Sequence, residues 1–163
     1  MLLIFYISAA VAIVATFMAI TRLNAVHALL YLIVSLLAVA AVFFCLGAAF
    51  VAALEVIVYA GAIMVLFVFV IMTLDVGPHA ERERAQLTRA AWVGPGLLSA
   101  ILLGEMLYAL ARAGGTPPGG AGATPRQVGV LLFGPYVIAV EAASLLLLAG
   151  LVGAYHLGRR EGG

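Results

Sequence analysis

Charge is scarce in this sequence. Only 9% of its 163 residues are charged, where an ordinary soluble domain carries roughly 25%. There is no lysine, and the eight basic residues are all arginine. A net charge of +1 excludes both a basic surface for nucleic acid and an acidic tail. Cys45 is the single cysteine, so an internal disulfide is impossible. An iron–sulfur cluster normally takes four thiolates, so this chain cannot hold one alone. Cys45 lies in an apolar run and reads as a small packed hydrophobe. His27, His79 and His156 have no partners at metal-ligand spacing. No phosphate-binding loop, dinucleotide fingerprint, zinc-protease motif or nucleophile elbow is present. The residues therefore predict no catalytic centre, cofactor site or metal site within this chain.

What is abundant is apolar sequence: 66% of residues are hydrophobic and the mean hydropathy is +1.25. A soluble protein of this composition would leave large apolar patches in water and aggregate. A bilayer accepts it. A spanning helix needs about 20 apolar residues, because about 30 Å of hydrocarbon is crossed at about 1.5 Å per residue. Five stretches meet that length, near residues 2–20, 25–48, 50–74, 91–110 and 134–157. The expectation is an all-α, single transmembrane domain over 1–163, with no soluble domain beside it. The first stretch lacks a basic residue before its apolar run and exceeds the apolar core of a secretory signal, so it reads as a retained span. Leu46-Gly47-Ala48-Ala49 is the one plausible break between the second and third spans, which predicts a tight helical hairpin. Asn24 suits the N-cap of the second span. A short surface helix is expected after Pro78, around Glu81-Arg82-Glu83-Arg84, and an irregular Gly/Pro loop over 113–125. Arg126 to Phe133 predicts a brief interfacial helix, with Gly134-Pro135 starting the last span.

Orientation follows the arginines near helix ends. With five spans, Arg22, Arg82, Arg84, Arg89, Arg159 and Arg160 share one side, and Arg112 and Arg126 the other. The excess predicts an outside N-terminus and a cytoplasmic C-terminus.

The chemistry-bearing residues are the carboxyls at membrane depth. An acidic residue near a helix centre costs about 2.5–3.5 kcal/mol to insert, so insertion alone gives no reason to keep one. Such a group is a candidate for proton handling, or a hydrogen-bonded link between helices. Glu55 lies in the third span, Glu105 in the fourth and Glu141 in the fifth. Glu105 is nearer a helix end, where it could reach the interface. Tyr59 follows Glu55 by four residues, on one helical face about a turn away, where its hydroxyl can donate to a carboxylate or pass a proton. Ala60-Gly61-Ala62 allows close approach by another helix, and Gly61 weakens the local ladder enough to permit a π-bulge. Simple close packing at the glycine is the alternative. From Val65 to Ile71 the span is apolar all round and would act as a dry seal.

The third span also carries a resemblance. NAVHALLYLIVSLLAVAAVFF followed by ALEVIVYAGAIMVLFVFVIM, together with LFGPYVIAVEAASLLLLAGLVGAYHLG near the C-terminus, resembles subunit J of bacterial NADH–quinone oxidoreductase, respiratory complex I. The resemblance runs from Ile4 to His156. It implies a five-helix subunit of the membrane arm, in the bacterial inner membrane and without cofactors. FMN, iron–sulfur clusters and quinone would be held by other subunits. The partners implied are the membrane-arm subunits, especially subunit K and those near the quinone site, and the lipid bilayer. The chain would be a non-redox part of a proton-translocating enzyme, linking quinone reduction to proton movement. The family's third helix adopts either a π-bulge or a regular α-helix, at the segment corresponding here to Tyr59, Ala60, Gly61 and Ala62. The resemblance places the family's membrane carboxyl at Glu55 and an aliphatic residue of the water path at Val65. Phe67 and Phe69 would close that path when dry, and Glu141 is a second coupling candidate. Two positions depart from the family pattern. Asn24-Ala25-Val26-His27 stands where a proline often follows the asparagine, and Glu105 matches no family residue. The rivals to this expectation are a component of a cation/proton antiporter, which also needs carboxyls on apolar helices, and a purely structural spacer.

Overall fold

The computed structural model describes residues 2–74, 89–112 and 123–159. They are helical, with no strand among the described residues, and five helices are long and apolar enough to cross a membrane. The chain forms two compact units, Met1–Gly122 and Ala123–Gly163.

The first unit is built around its second span. Helix α1 (Leu2–Thr21) and α2 (Ala25–Cys45) form an antiparallel pair, joined by a short link capped by Asn24. The Asn24 side chain accepts a bond from the His27 backbone N–H at 3.1 Å, satisfying a first-turn donor. Two alanines without exposure, Ala15 and Ala38, lie at the α1–α2 contact with Val11 and Val34. Small residues let the two backbones approach closely, which matters where lipid is as apolar as the helices and association rests on packing. A polar link adds to it. Ser35 donates to the Ala12 carbonyl at 3.2 Å, so its single proton is used and the 2.6 Å bond between the hydroxyls must come from Thr16.

The turn after α2 falls at the expected break. Gly47 takes a positive φ of 81°, the only one among the described residues. Gly47 N–H donates to Phe44 O and Ala48 N–H to Phe43 O, both at 3.0 Å. This is a Schellman closure, in which glycine at the left-handed position lets two terminal carbonyls be satisfied without charge. The third span then runs as α3 (Ala49–Leu54), a π-helical segment (Glu55–Ile63) and α4 (Met64–Leu74), all of which pack on α2. Helix α5 (Arg89–Arg112) lays Leu98 and Leu102 on the α1–α2 core. A Cβ at Gly94 would overlap the hydroxyl of Tyr31, a buried residue of α2, so α5 needs glycine there to approach.

The second unit holds α6 (Pro125–Leu132) and α7 (Val137–Gly158). Thr124 and Gln127 form a reciprocal capping box, with Pro125 opening the helix. Gly134-Pro135 lies in the turn between the helices rather than at the start of the last span, which begins at Val137. The chain reverses tightly there, Tyr136 N–H reaching Leu131 O at 3.1 Å. A Cβ at Gly134 would meet the Val130 carbonyl at 2.7 Å, so the glycine serves the turn. The helix expected around Glu81–Arg84 and most of the Gly/Pro loop lie outside the described residues.

Candidate functional site: a wide-turn segment in the third span

The third span changes hydrogen-bond register within itself. At Glu55 the backbone N–H still reaches Val51 O, four residues back. At Met64 it reaches Tyr59 O, five residues back. Between those two bonds there is one more N–H than there are carbonyls, so one carbonyl must serve two donors. Returning to four-residue bonding further on strands one carbonyl. Isolated π turns occur mostly as single bulges, because every such mismatch has a cost. Here the wide ladder extends over nine residues, Glu55–Ile63.

The local sequence explains how it is tolerated. Gly61 has no side chain to collide with the widened ladder. A Cβ there would sit 3.1 Å from the Val56 carbonyl, five residues back and on the adjacent turn. β-Branched Val56, Ile57 and Val58 before it lower the preference for a tight α-helix. Glycine at 61 therefore permits both ladders, and the branched residues weaken the case for the narrow one.

The site residues fall as follows. Glu55 begins the π segment and is half-buried, and Gly61 is half-buried near its end. Tyr59 is 50% exposed, as is Phe67, while Val65 and Phe69 are more exposed still. Among the described residues, no hydrogen bond joins the Glu55 carboxyl to the Tyr59 hydroxyl. Glu55 and Tyr59 are thus neighbours on the span without being bonded. Glu141 lies on α7 in the second unit and is exposed there. No group of three His, Cys, Asp or Glu that could hold a metal ion occurs among the described residues.

A polar pair that sequence reasoning did not anticipate lies between α1 and α5. Ser8, with no exposure, donates its hydroxyl to Glu105 Oε2 at 2.7 Å. The bond turns the carboxyl toward α1. A signal for it was present: Ile4, Ser8, Val11 and Ala15 repeat at four- and three-residue steps, and they form the buried stripe of α1. A serine in that stripe calls for a partner across the contact.

The family profile of NADH-ubiquinone/plastoquinone oxidoreductase chain 6 matches residues 15–157. The chain is 58% identical to NADH-quinone oxidoreductase subunit J of Pseudomonas aeruginosa over 162 residues, which is 96% of either protein. It is 56% identical to the subunit J of Escherichia coli K12, covering 96% of this chain and 86% of that one. Against the subunit J of Rhodobacter capsulatus the identity is 38%, over 96% of this chain and 81% of that one. With its five apolar helices, the chain is thus a multi-pass inner-membrane protein that belongs to the NADH-ubiquinone/plastoquinone oxidoreductase chain 6 family.

Proposed function

We propose that this chain is subunit J of a proton-pumping NADH–quinone oxidoreductase, and that its third span couples quinone reduction to proton translocation. The observation that carries the mechanism is the π segment from Glu55 to Ile63. Restoring four-residue bonding through it removes one residue of register. In an α-helix one residue corresponds to about 100° of rotation and about 1.5 Å of rise. Val65, Phe67 and Phe69, all on α4, would swing by that amount relative to Glu55. In one register the aromatic side chains fill the route past Glu55 and exclude water. In the other they turn aside, and a water chain reaches the carboxyl. Glu55 then binds and releases a proton, Tyr59 extends the relay by its hydroxyl, and Glu141 serves as a second relay carboxyl.

The redox chemistry belongs to other subunits, which would hold the FMN, the iron–sulfur clusters and the quinone. This chain contributes only the response of its own helices. Subunit K and the subunits near the quinone site are the proposed neighbours. The five spans act as one membrane domain, with the N-terminus outside and the C-terminus in the cytoplasm. The names of the relatives give no support to a separate cation/proton antiporter.

The test uses the assembled complex. The chain should co-purify with flavin and iron–sulfur subunits, and Gly61→Leu should lower quinone-linked proton pumping. Normal NADH–quinone turnover and normal pumping in that variant would end the coupling proposal. Co-purification with an antiporter lacking flavin would end the assignment itself.

A further inference from the structure

Glu105 is bonded on one oxygen only. The Ser8 hydroxyl donates to Oε2 at 2.7 Å, while Oε1 is buried and has no hydrogen-bond partner among the described residues. Buried polar atoms of folded proteins are nearly always partnered. Acidic residues at membrane depth face protein and pair with another group there. The complement of an acidic side chain is a basic one, and the helices around Glu105 offer few. Helix α1 carries no charged residue over Leu2–Thr21, and α2 has no arginine over Ala25–Cys45. Arg22, just after α1, is about 21 Å along the helix axis from Ser8. On α5 the arginines stand at the two ends, Arg89 and Arg112. The partner for Oε1 comes from elsewhere.

The space beside the carboxyl suits one kind of side chain. A groove of about 420 Å³ is walled by Leu3, Ile4 and Ile7 of α1 and by Gly104 and Tyr108 of α5, with Glu105 among them. Its α1 rim is open, Leu3 being 71% and Ile7 37% exposed. At Gly104 the wall is bare, for an added Cβ would meet nothing within 4 Å. The groove is therefore largely apolar, with a carboxyl in it. Arginine and lysine share that division, an aliphatic stem ending in a cationic head. A serine or asparagine could donate to Oε1 but has no stem for the apolar walls. The level in the membrane fits as well. Ser8 lies about 9 Å inside the start of α1, and Glu105 about 6 Å inside the end of the span Trp92–Ala109. Long basic side chains are common near span ends, where the stem stays in hydrocarbon.

We propose that the groove between α1 and α5 is a docking site for one arginine or lysine side chain of a neighbouring membrane subunit. Its stem lies against Leu3, Ile4 and Ile7, and its N–H donors bond Glu105 Oε1. Ser8 is a positioning residue, holding the carboxyl toward α1 at the groove. The inference rests on the reading of this chain as a subunit of a larger complex, and it is independent of the register change in the third span.

The assembled complex tests it. Cryo-electron microscopy of the wild type should show a guanidinium or ammonium group of another subunit within hydrogen-bonding distance of Glu105. Lipid, a neutral side chain or a basic residue of this same chain at that place overturns the docking site. Glu105→Gln keeps an acceptor for Ser8 and removes the acidic group. It should release the chain from the complex about tenfold more readily in detergent, read on native gels. Ser8→Ala should act in the same direction and less. A clasp between α1 and α5 alone predicts the opposite order, because glutamine preserves it and Ser8→Ala breaks it. Gly104→Leu fills the groove and leaves both polar side chains in place, so it should release the chain as Glu105→Gln does. Retention equal to wild type in Glu105→Gln and Gly104→Leu overturns the inference. If no other membrane subunit co-purifies, the assignment to a complex fails and the docking site falls with it. An assembled complex with no basic group at Glu105 removes the docking site alone.

Discussion

Replacing Gly61 by Ala adds one methyl group at the point where the two backbone ladders differ. In the wide register that methyl carbon would lie 3.1 Å from the Val56 carbonyl oxygen. Backbone must give by a few tenths of an ångström, since no flexible side chain is there to move. Bond-angle strain of about 7° costs about 1 kcal/mol, which sets the scale of the steric term. At that scale the steric contact shifts the balance toward the α ladder about fivefold. The expected outcome is a third span that spends more of its time α-helical, with slower quinone-linked pumping in membrane vesicles and full assembly of the complex. Gly61→Leu should go further in the same direction. Gly150→Ala is the control: it lies in the regular helix α7, a Cβ there meets nothing within 4 Å, and it should change neither register nor pumping. Cryo-electron microscopy of the Gly61→Ala complex reads the register directly. An unchanged π segment from 55 to 63 with unchanged pumping would refute the steric reasoning.

Other perturbations separate packing from chemistry. Ala38→Leu inserts bulk at a position without exposure in the α1–α2 contact and should cost about 1–3 kcal/mol, read as a lowered thermal stability or yield of the complex. Gly47→Ala forces a side chain into a positive φ and should cost about 1–2 kcal/mol at the hairpin; a Gly47→Asn variant, better suited to that conformation, should recover part of it in the same melting assay. Glu55→Gln combined with Glu141→Gln should leave assembly intact and reduce pumping measured by a pH-sensitive dye. Undiminished pumping in that double variant would favour a structural spacer.

Much of the architecture was legible from local composition. The five spans are sums of hydropathy over about 20 residues, and a sum needs no neighbour. The Asn24 cap, the break at Gly47 and the helix before Phe133 also rest on local backbone chemistry. Gly134-Pro135 was the exception. Its pattern suits a helix start, but the chain reverses there before Val137, in a turn where a side chain at 134 would meet the Val130 carbonyl.

The candidate site divides in the same way. Composition and motif pointed to Glu55, Tyr59 and Gly61, and the likeness to subunit J extended over nearly the whole chain. Sequence indicated that Gly61 would permit a register change. Only the folded structure decided that the wide ladder covers nine residues, and that Glu55 and Tyr59 are not bonded to each other. Hydrogen-bond register is a cooperative property of successive turns, and no single residue type encodes it. Likewise, Ser8 and Glu105 are each readable as polar residues in apolar helices. Their meeting depends on how closely α1 and α5 approach around α2, and that distance exists only in the tertiary structure.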